Sequence, residues 1–355
     1  MIRIDTIDHY FQVQKATDVK WHAITPRTQG LYGLMEHPDG GFCRMPPEVV
    51  EAVTGEALRP TVQQLYRNTS GGRLRLVTDS QTIALRVDIG KAVAGARQAF
   101  LGSAGFDVYQ RIEGQWVYAG CLAPEVVNAG FYEASFRFGS KSPRELLINF
   151  PLYSDVNSVE LGLDESSAIS DAPSYGGKYV VFYGSSITQG GCAPRPGLSY
   201  PNILSRRLDF DFVNLGFSDG ARVEPSMLNY LCSLKMDVLV YDYDHNAPDI
   251  DFLRRTHLEA FKTIRQARPD LPILLASAPM ANLDAVWAQR RDIILRTVQW
   301  AIDQGDRNIA FVDGAAMYPP HCKEECSEDG SHPNGLGMSC MADAFAPALR
   351  KLLGK

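Results

Sequence analysis

Residues 184–191, GSSITQGG, form the first segment with side chains suited to nucleophilic chemistry, and they follow the apolar run 179–183. A hydroxyl placed here would lie where a strand ends and a helix begins, beside unpaired backbone N–H groups. Such a position can present a nucleophile and hold a developing oxyanion. A plain tight turn or a phosphate-cradling loop would have the same composition. A nucleotide site is disfavoured because the loop lacks the lysine of GxxxxGK[ST] and the spacing of GxGxxG.

Asp329 and His332 lie three residues apart in the segment DGSHPN, just before the last predicted helix. If the two side chains face one way, the carboxylate can accept from Nδ1–H and leave Nε2 free as a general base. A lone histidine in a loop is usually a surface residue. The aspartate upstream and the position before the last helix favour a functional pair.

Two further polar segments follow predicted strands. Residues 242–246, DYDHN, have a hydrogen-bonded loop as their simpler interpretation, although Asn246 could donate its side-chain N–H to an oxyanion. Residues 214–220, NLGFSDG, are small enough to let a backbone N–H approach a substrate.

The second half alternates apolar runs with amphipathic stretches, which predicts a parallel sheet with helices on both faces. In such sheets, sites form at the carboxyl ends of the strands, where these polar segments lie. The predicted strands are 179–183, 212–215, 238–241, 273–276 and 309–312, and the predicted helices are 200–208, 225–234, 252–267, 285–303 and 335–353.

The first half has short β-branched or alternating segments separated by Gly, Asn, Ser and Asp, which predict a β-sandwich or jelly roll. These segments are 73–77, 83–87, 106–109, 115–119 and 134–138, with one helix at 47–53. The Pro-, Gly- and Ser-rich stretch 170–178 predicts a linker. We therefore expect an N-terminal β domain over residues 1–172 and an α/β domain over residues 173–355.

Taken in this order, the polar segments resemble the four sequence blocks of the SGNH (GDSL-like) hydrolase superfamily. The resemblance implies Ser186 as nucleophile, His332 as general base and Asp329 as the acid that orients it. It implies an oxyanion hole formed by Ser186, by Asn246 of block three and by a backbone N–H of block two, residues 214–220, from Asp219 or Gly220. It also implies a flavodoxin-like three-layer α/β/α catalytic domain. The first half, with FCRMP at 42–46 and GFDVY at 105–109, resembles the GxDLY β-domain that precedes this domain in some bacterial members.

The sequence departs from the family pattern at three positions. Ser185 replaces the usual aspartate of G-D-S, which is not a triad residue, and Asn246 lies in D-H-N rather than in G-x-N-D. Asp219 occupies the position of the oxyanion glycine, where a positive φ would strain it and a carboxylate in the hole would oppose the oxyanion. We hypothesise that the Asp219 side chain points away, with Gly220 as an alternative donor.

The resemblance implies a serine esterase that hydrolyses short-chain esters, acetyl above all, of carbohydrates through an acyl-enzyme, without a cofactor or metal. Two alternatives stay open: a lysophospholipase or thioesterase on the same fold, and a non-catalytic carbohydrate-binding protein, for which Asp219 is the best evidence. Trp287 could line the site, but a tryptophan within a helix is more often part of a core. The N-terminal domain could cap the site, bind glycan or form a homo-oligomer interface.

Composition narrows the expected partners. The formal net charge of −6 argues against a nucleic-acid partner, which would call for a basic face. No apolar run approaches the roughly 18 residues of a membrane span, and the N-terminal sequence lacks a signal-peptide pattern. We therefore expect a cytoplasmic protein without a nucleic-acid or membrane partner, and the resemblance implies a small-molecule or oligosaccharide ester as its substrate.

Seven cysteines are scattered through the chain. The run His321-Cys322 with Cys326 and Cys340 hints at zinc, but its spacing does not repeat the paired CxxC pattern of a structural site. Reduced, mostly buried thiols without a metal are the expectation.

Overall fold

The computed structural model of the chain describes residues 2–93, 95–126, 130–279 and 284–355. The chain divides into two compact units, each of which includes a segment from the other half of the sequence. The β unit comprises 1–43, 67–174 and 195–197, and the α/β unit comprises 44–66, 175–194 and 198–355.

The strands in chain order are β1 Val19–Ile24, β2 Leu31–Tyr32, β3 Met35–Glu36, β4 Phe42–Cys43, β5 Arg73–Thr78, β6 Thr82–Ala92, β7 Phe106–Ile112, β8 Gln115–Leu122, β9 Phe131–Arg137, β10 Arg144–Asn149, β11 Ser154–Asp164, β12 Ile169–Asp171, β13 Tyr179–Gly184, β14 Asp211–Gly216, β15 Val238–Asp242, β16 Ile273–Ala276 and β17 Ile309–Val312. The α-helices are α1 Pro47–Glu56, α2 Thr61–Leu65, α3 Phe100–Ala104, α4 Ser186–Gln189, α5 Tyr200–Leu208, α6 Pro225–Ser233, α7 Ile250–Ala267, α8 Ala285–Asp303 and α9 Gly335–Leu352.

Two antiparallel sheets form the β unit. One has the strand order β1-β11-β6-β9, and the other has the order β12-β5-β10-β7-β8 with β2 beside β5. Alternate residues of both sheets enter one shared core, including Leu74 of β5, Leu85 of β6 and Ile148 of β10. This pattern confirms the predicted antiparallel β-rich first half, because one face of each sheet is apolar and buried.

The GFDVY segment has a structural role inside the β unit. Asp107 is fully buried, and its carboxylate accepts from Arg195 Nη1 at 2.8 Å, Asn149 Nδ2 at 2.8 Å and the N–H of Gly197. Arg195 also donates to the hydroxyl of Tyr109. Asp107 therefore holds the segment 195–197 in this unit, as expected of a buried charge that must be paired.

The α/β unit contains a five-stranded parallel sheet with the order β14-β13-β15-β16-β17. Numbered along the unit, this order is 2-1-3-4-5, which is the flavodoxin-like arrangement, and it confirms the predicted fold class. The strands are short apolar runs because helices cover both faces: α5 packs on α9, and α7 packs on α6 and α8. The carboxyl ends of β13, β14 and β15 therefore meet at one edge of the sheet.

The β unit contains strands that the sequence analysis did not predict, among them β1, β10 and β11. Strand β11, eleven residues long, was not predicted, because serine and asparagine and two register irregularities interrupt its apolar alternation. The predicted linker 170–178 begins as strand β12, whose residues pair with β5 at the sheet edge.

Candidate active site

The loop after β13 is tightly constrained around Ser186. Gly184 ends the strand, and a Cβ there would lie 2.1 Å from Thr188 Oγ1 and 2.4 Å from the carbonyl oxygen of Asp242. Ser185 is extended and its Oγ accepts from the N–H of Ile187 at 3.2 Å, so it caps the N-terminus of α4. Serine at the usual aspartate position thus keeps the capping acceptor, and Ser186 opens the helix.

Ser186, His332 and Asp329 form a continuous hydrogen-bonded chain. Ser186 Oγ lies 2.8 Å from His332 Nε2, and His332 Nδ1 lies 3.0 Å from Asp329 Oδ2. With Nδ1–H donating to the carboxylate, Nε2 accepts from the serine hydroxyl. This is the arrangement in which an imidazole can remove a proton from a serine that attacks a carbonyl.

The Asp329 carboxylate is organised by its own loop. Its Oδ1 accepts from the N–H groups of Ser331 at 3.0 Å and His332 at 2.7 Å. Burial raises the pKa of Asp329, but these backbone donors and the His332 ring outweigh it and lower the pKa to about 2. The carboxylate is therefore ionised at neutral pH and fixes the histidine tautomer.

The predicted oxyanion residues of blocks two and three contact one another. Asn246 Nδ2 donates to the carbonyl of Phe217 at 2.8 Å, and its Oδ1 accepts from the N–H of Asp219 at 3.2 Å. The N–H of Gly220 donates to the same Phe217 carbonyl at 3.1 Å, and its α-carbon faces Thr61. A substrate oxygen would therefore compete with Asn246 for the Asp219 N–H, whereas the Gly220 N–H closes a turn.

Asp219 has the left-handed conformation that favours glycine, with φ +53°. Its carboxylate is ion-paired with Arg222 Nη2 and with Arg59 Nη1, the latter at 2.8 Å. Arg222 also donates from Nε to the carbonyl of Asn246 at 2.9 Å. Two guanidinium groups thus offset the charge that aspartate adds at this position, and Arg222 joins the two loops.

Asp242, at the end of β15, lies behind α4. Its Oδ2 accepts from Tyr200 OH at 2.9 Å and Thr188 Oγ1 at 3.2 Å. Burial, together with the nearby charge of Asp244, raises the pKa of Asp242 well above its usual range. The hydrogen-bonded loop suggested by the sequence is thus correct for Asp242.

His245 and Trp287 lie beside His332. The rings of His245 and Trp287 stack with 4.7 Å between their centroids, and the centroid of the His245 ring is 6.2 Å from that of His332. His245 Nε2 is 2.7 Å from Ser331 Oγ. Burial above all, together with the positive charge of Arg290, lowers the pKa of His245 to about 3, so it is neutral at physiological pH. Trp287 is half-buried, with one face on an imidazole next to the triad.

Sequence reasoning missed Arg44, which lies in the FCRMP segment but belongs to the α/β unit. This fully buried guanidinium donates to the carbonyls of Asn214 at 2.9 Å, Gly216 at 2.7 Å and Leu65 at 2.8 Å. It also lies 4.4 Å from the ring centroid of Phe217. Arg44 therefore supports the block-two loop from behind, a role that only the folded structure reveals.

Comparison with known families places both halves of the chain. Residues 177–350 match the GDSL-like lipase/acylhydrolase family, and residues 19–169 match the GxDLY N-terminus of SGNH-hydrolase-type esterases. No curated protein matches the sequence. Among the described residues, no helix is long and apolar enough to cross a membrane.

Solved structures share the fold of this chain. A putative GDSL-like lipase from Bacteroides ovatus is 25% identical with a TM-score of 0.81, and the match covers 94% of this chain and 98% of that one. A salicylyl-acyltransferase from a tetracycline biosynthetic pathway is 20% identical with a TM-score of 0.71 over 94% and 97% of the two chains. An active-site mutant of a family two carbohydrate esterase from Clostridium thermocellum is 15% identical with a TM-score of 0.64 over 92% and 99%.

The last two likenesses show the fold, whereas the family matches lie on the two halves in the order that the sequence motifs require. The chain belongs to the SGNH, or GDSL-like, lipase/acylhydrolase family of carboxylic ester hydrolases, in the form that carries a GxDLY N-terminus.

Proposed function

We propose that the protein is a serine esterase that removes short acyl groups, acetyl above all, from carbohydrate esters. The observation that carries the proposal is the chain of contacts from Ser186 Oγ to His332 Nε2 at 2.8 Å and from His332 Nδ1 to Asp329 Oδ2 at 3.0 Å. An ionised Asp329 at one end and a serine at a helix N-terminus at the other suit acyl transfer.

In the first half-reaction, His332 Nε2 takes the hydroxyl proton as Ser186 Oγ bonds to the ester carbonyl carbon. The tetrahedral intermediate collapses when the alcohol leaves with the proton that His332 returns, and the acyl group stays on Ser186. Water then attacks the acyl-enzyme with His332 again as base, which releases the carboxylic acid and restores the serine.

The oxyanion would be held by backbone N–H groups of Ser186 and Asp219 and by the side-chain amide of Asn246. The Asp219 N–H points to Asn246 Oδ1 before substrate binds, at 3.2 Å. When the oxyanion binds, the Asp219 N–H leaves the neutral amide oxygen of Asn246 and donates to a charged oxygen instead. This change is favourable because charge-assisted hydrogen bonds are stronger.

The substrate class rests on the structural neighbours. The family two carbohydrate esterase described above and an acetyl xylan esterase from Butyrivibrio proteoclasticus share this architecture over more than nine-tenths of the chain. At identities of 15% and 13%, these likenesses show only the fold. Acetyl removal from a carbohydrate is our proposal for this chain.

Hydrolysis of p-nitrophenyl acetate and octanoate by the wild type, Ser186→Ala and Ser185→Ala tests the proposal. We expect acetate to be preferred, and Ser186→Ala to lower kcat on the order of 10³-fold or more. Ser185→Ala, which removes only a helix cap, is the matched control and should stay within about tenfold of wild type.

The other results would each point elsewhere. Preference for octanoate would favour a lysophospholipase or thioesterase, and folded wild-type protein without activity on either ester would favour a carbohydrate-binding protein. Retained activity in Ser186→Ala would remove Ser186 from the mechanism.

A further inference from the structure

Three of the seven cysteines, far apart in sequence, converge in the α/β unit. The Sγ atoms of Cys322, Cys326 and Cys340 all lie within 4.8 Å of one another. Cys326 is fully buried, Cys340 is nearly so, and Cys322 is partly exposed. The spacing of these residues argued against a metal site, because the sequence cannot show that α9 returns Cys340 to the segment 322–326.

This geometry suits a thiophilic metal ion. Three thiolates bound tetrahedrally to Zn²⁺ at about 2.3 Å lie about 3.8 Å apart, so the cluster needs to contract by roughly 1 Å at most. Zinc and copper(I) are the cations that such a thiolate set prefers. His321 is exposed and lies outside this group of ligand atoms, and the partial exposure of Cys322 leaves a side open to water.

A buried tyrosine hydroxyl lies near the cluster. Tyr318 is only 5% exposed, and its OH has no hydrogen-bond partner among the described residues. Burial raises the pKa of this hydroxyl, and the neighbouring Cys326 and Cys340 act in the same direction.

The backbone holds the cluster in place. The carbonyl of Cys326 accepts from the N–H of Asn334 at 3.0 Å, and a Cβ at Gly337 would lie 2.1 Å from that same oxygen. Cys326 is therefore pressed against the first turn of α9, the helix that carries Cys340. It also adjoins the Ser327–Pro333 bridge that closes the loop bearing Asp329.

We propose that Cys322, Cys326 and Cys340 bind one Zn²⁺ ion, with water in the fourth position. Binding converts three thiols to thiolates and releases three protons to solvent. The ion is structural: it cross-links the segment before the Asp329 loop to α9, and it takes no part in ester hydrolysis.

The test begins with the metal content of full-length protein that is stripped with chelator, kept reduced with a phosphine and dialysed against Zn²⁺. We expect one zinc per chain and a rise in Tm of at least about 3 °C over the stripped protein. Substitution with Co²⁺ should give the thiolate-to-cobalt charge-transfer absorption of a sulfur-rich tetrahedral site.

Variants locate the site. Cys326→Ser and Cys340→Ser should each bind zinc at least about tenfold more weakly than the wild type. Cys232→Ser, a cysteine outside the cluster, and His321→Ala should keep one zinc per chain. If the two cluster variants fail to fold, alkylation of the wild type decides: zinc should protect Cys322 and Cys326, while exposed Cys121 reacts equally with and without the metal.

Wild-type protein that takes up no zinc under these conditions would overturn the proposal. Equal zinc binding by Cys326→Ser and the wild type, or alkylation of the cluster unaffected by zinc, would overturn it as well.

Discussion

At the residue scale, Asp219 is the most unusual feature of the site. Its φ of +53° costs an L-residue about 1–2 kcal/mol relative to glycine. The ion pair with the exposed Arg59 offsets little of this conformational cost, since exposed pairs contribute about 0–1 kcal/mol. The second partner of the carboxylate, Arg222, is largely buried. Because the proposed oxyanion donor is the backbone N–H, a change of side chain at this position leaves the donor in place.

Replacing Asp219 by glycine and by alanine separates strain from charge. Both variants lose the same ion pairs, so these contributions cancel, and only alanine keeps the left-handed strain. We expect Asp219→Gly to be more stable than Asp219→Ala by about 1 kcal/mol in urea unfolding, and to keep p-nitrophenyl acetate hydrolysis within about tenfold of wild type. Equal stabilities would show that the backbone relaxes, and loss of activity in both would show that the carboxylate is needed.

Asp329 makes stability depend on pH in a defined direction. Its pKa is about 2 in the folded state against 3.8 in the unfolded chain, so it stabilises above the unfolded pKa and this contribution disappears as pH falls towards 2. We expect Asp329→Asn to be less stable than wild type by about 2 kcal/mol at pH 7, with the difference vanishing near pH 2. Urea unfolding from pH 2 to 7 measures this, with the exposed neighbour Glu328→Gln as control.

The same substitution should lower kcat on the order of 10³-fold, because an amide at position 329 no longer holds the reactive imidazole tautomer. A pH-independent stability difference would contradict the low pKa, and unchanged kcat would contradict the orienting role.

At the scale of the element, α4 packs on a buried carboxyl, that of Asp242, whose pKa is raised. Asp242 has a raised pKa in the folded state, so its contribution to stability is greatest below the unfolded pKa and is lost as pH rises through the folded pKa. Its contacts with Thr188 and Tyr200 use an oxygen that asparagine also has.

Asp242→Asn should therefore become more stable relative to wild type as pH increases from 5 to 9. Urea midpoints across this range measure the change, and Asp270→Asn, at an exposed carboxylate, should show no such trend. A difference that falls with rising pH would mean that Asp242 is charged in the folded protein.

The sequence predicted the elements of the α/β unit well and their side-chain contacts poorly. Strands such as β13 are continuous apolar runs that only a doubly covered sheet explains, and helix α8 was predicted with its observed limits. The family resemblance, rather than any single motif, paired Ser186 with His332, and their side chains lie 2.8 Å apart. The roles of Arg44 and Arg222 could not be predicted, because each donates to backbone carbonyls, which leave no trace in residue type.

At the scale of the whole molecule, the α/β unit is not one continuous stretch of chain. Residues 44–66 complete it: Arg44 holds the end of β14, Thr61 Oγ1 donates to the carbonyl of Asp219 at 3.1 Å, and Glu56 accepts from Ser226. A segment of 23 residues that precedes most of the β unit thus supports the proposed oxyanion loop.

A fragment of residues 173–355 should therefore show no cooperative unfolding transition by tryptophan fluorescence in urea. It should also fail to hydrolyse p-nitrophenyl acetate. In the full chain, Arg44→Met should lower the free energy of unfolding by about 3 kcal/mol, because it leaves three buried carbonyls without their donor. A fragment with wild-type kcat would show that residues 44–66 are dispensable.

The central claim is that Ser186 is the nucleophile, and covalent labelling tests it most directly. A fluorophosphonate, which mimics the tetrahedral intermediate, is incubated with the wild type, Ser186→Ala and His332→Ala, and the adduct is located by peptide mass spectrometry. We predict one adduct per wild-type chain, on Ser186, with activity lost in step, far slower labelling of His332→Ala and none at position 186 in Ser186→Ala. An adduct on another residue, or full ester hydrolysis by wild-type protein already labelled at Ser186, would contradict the account.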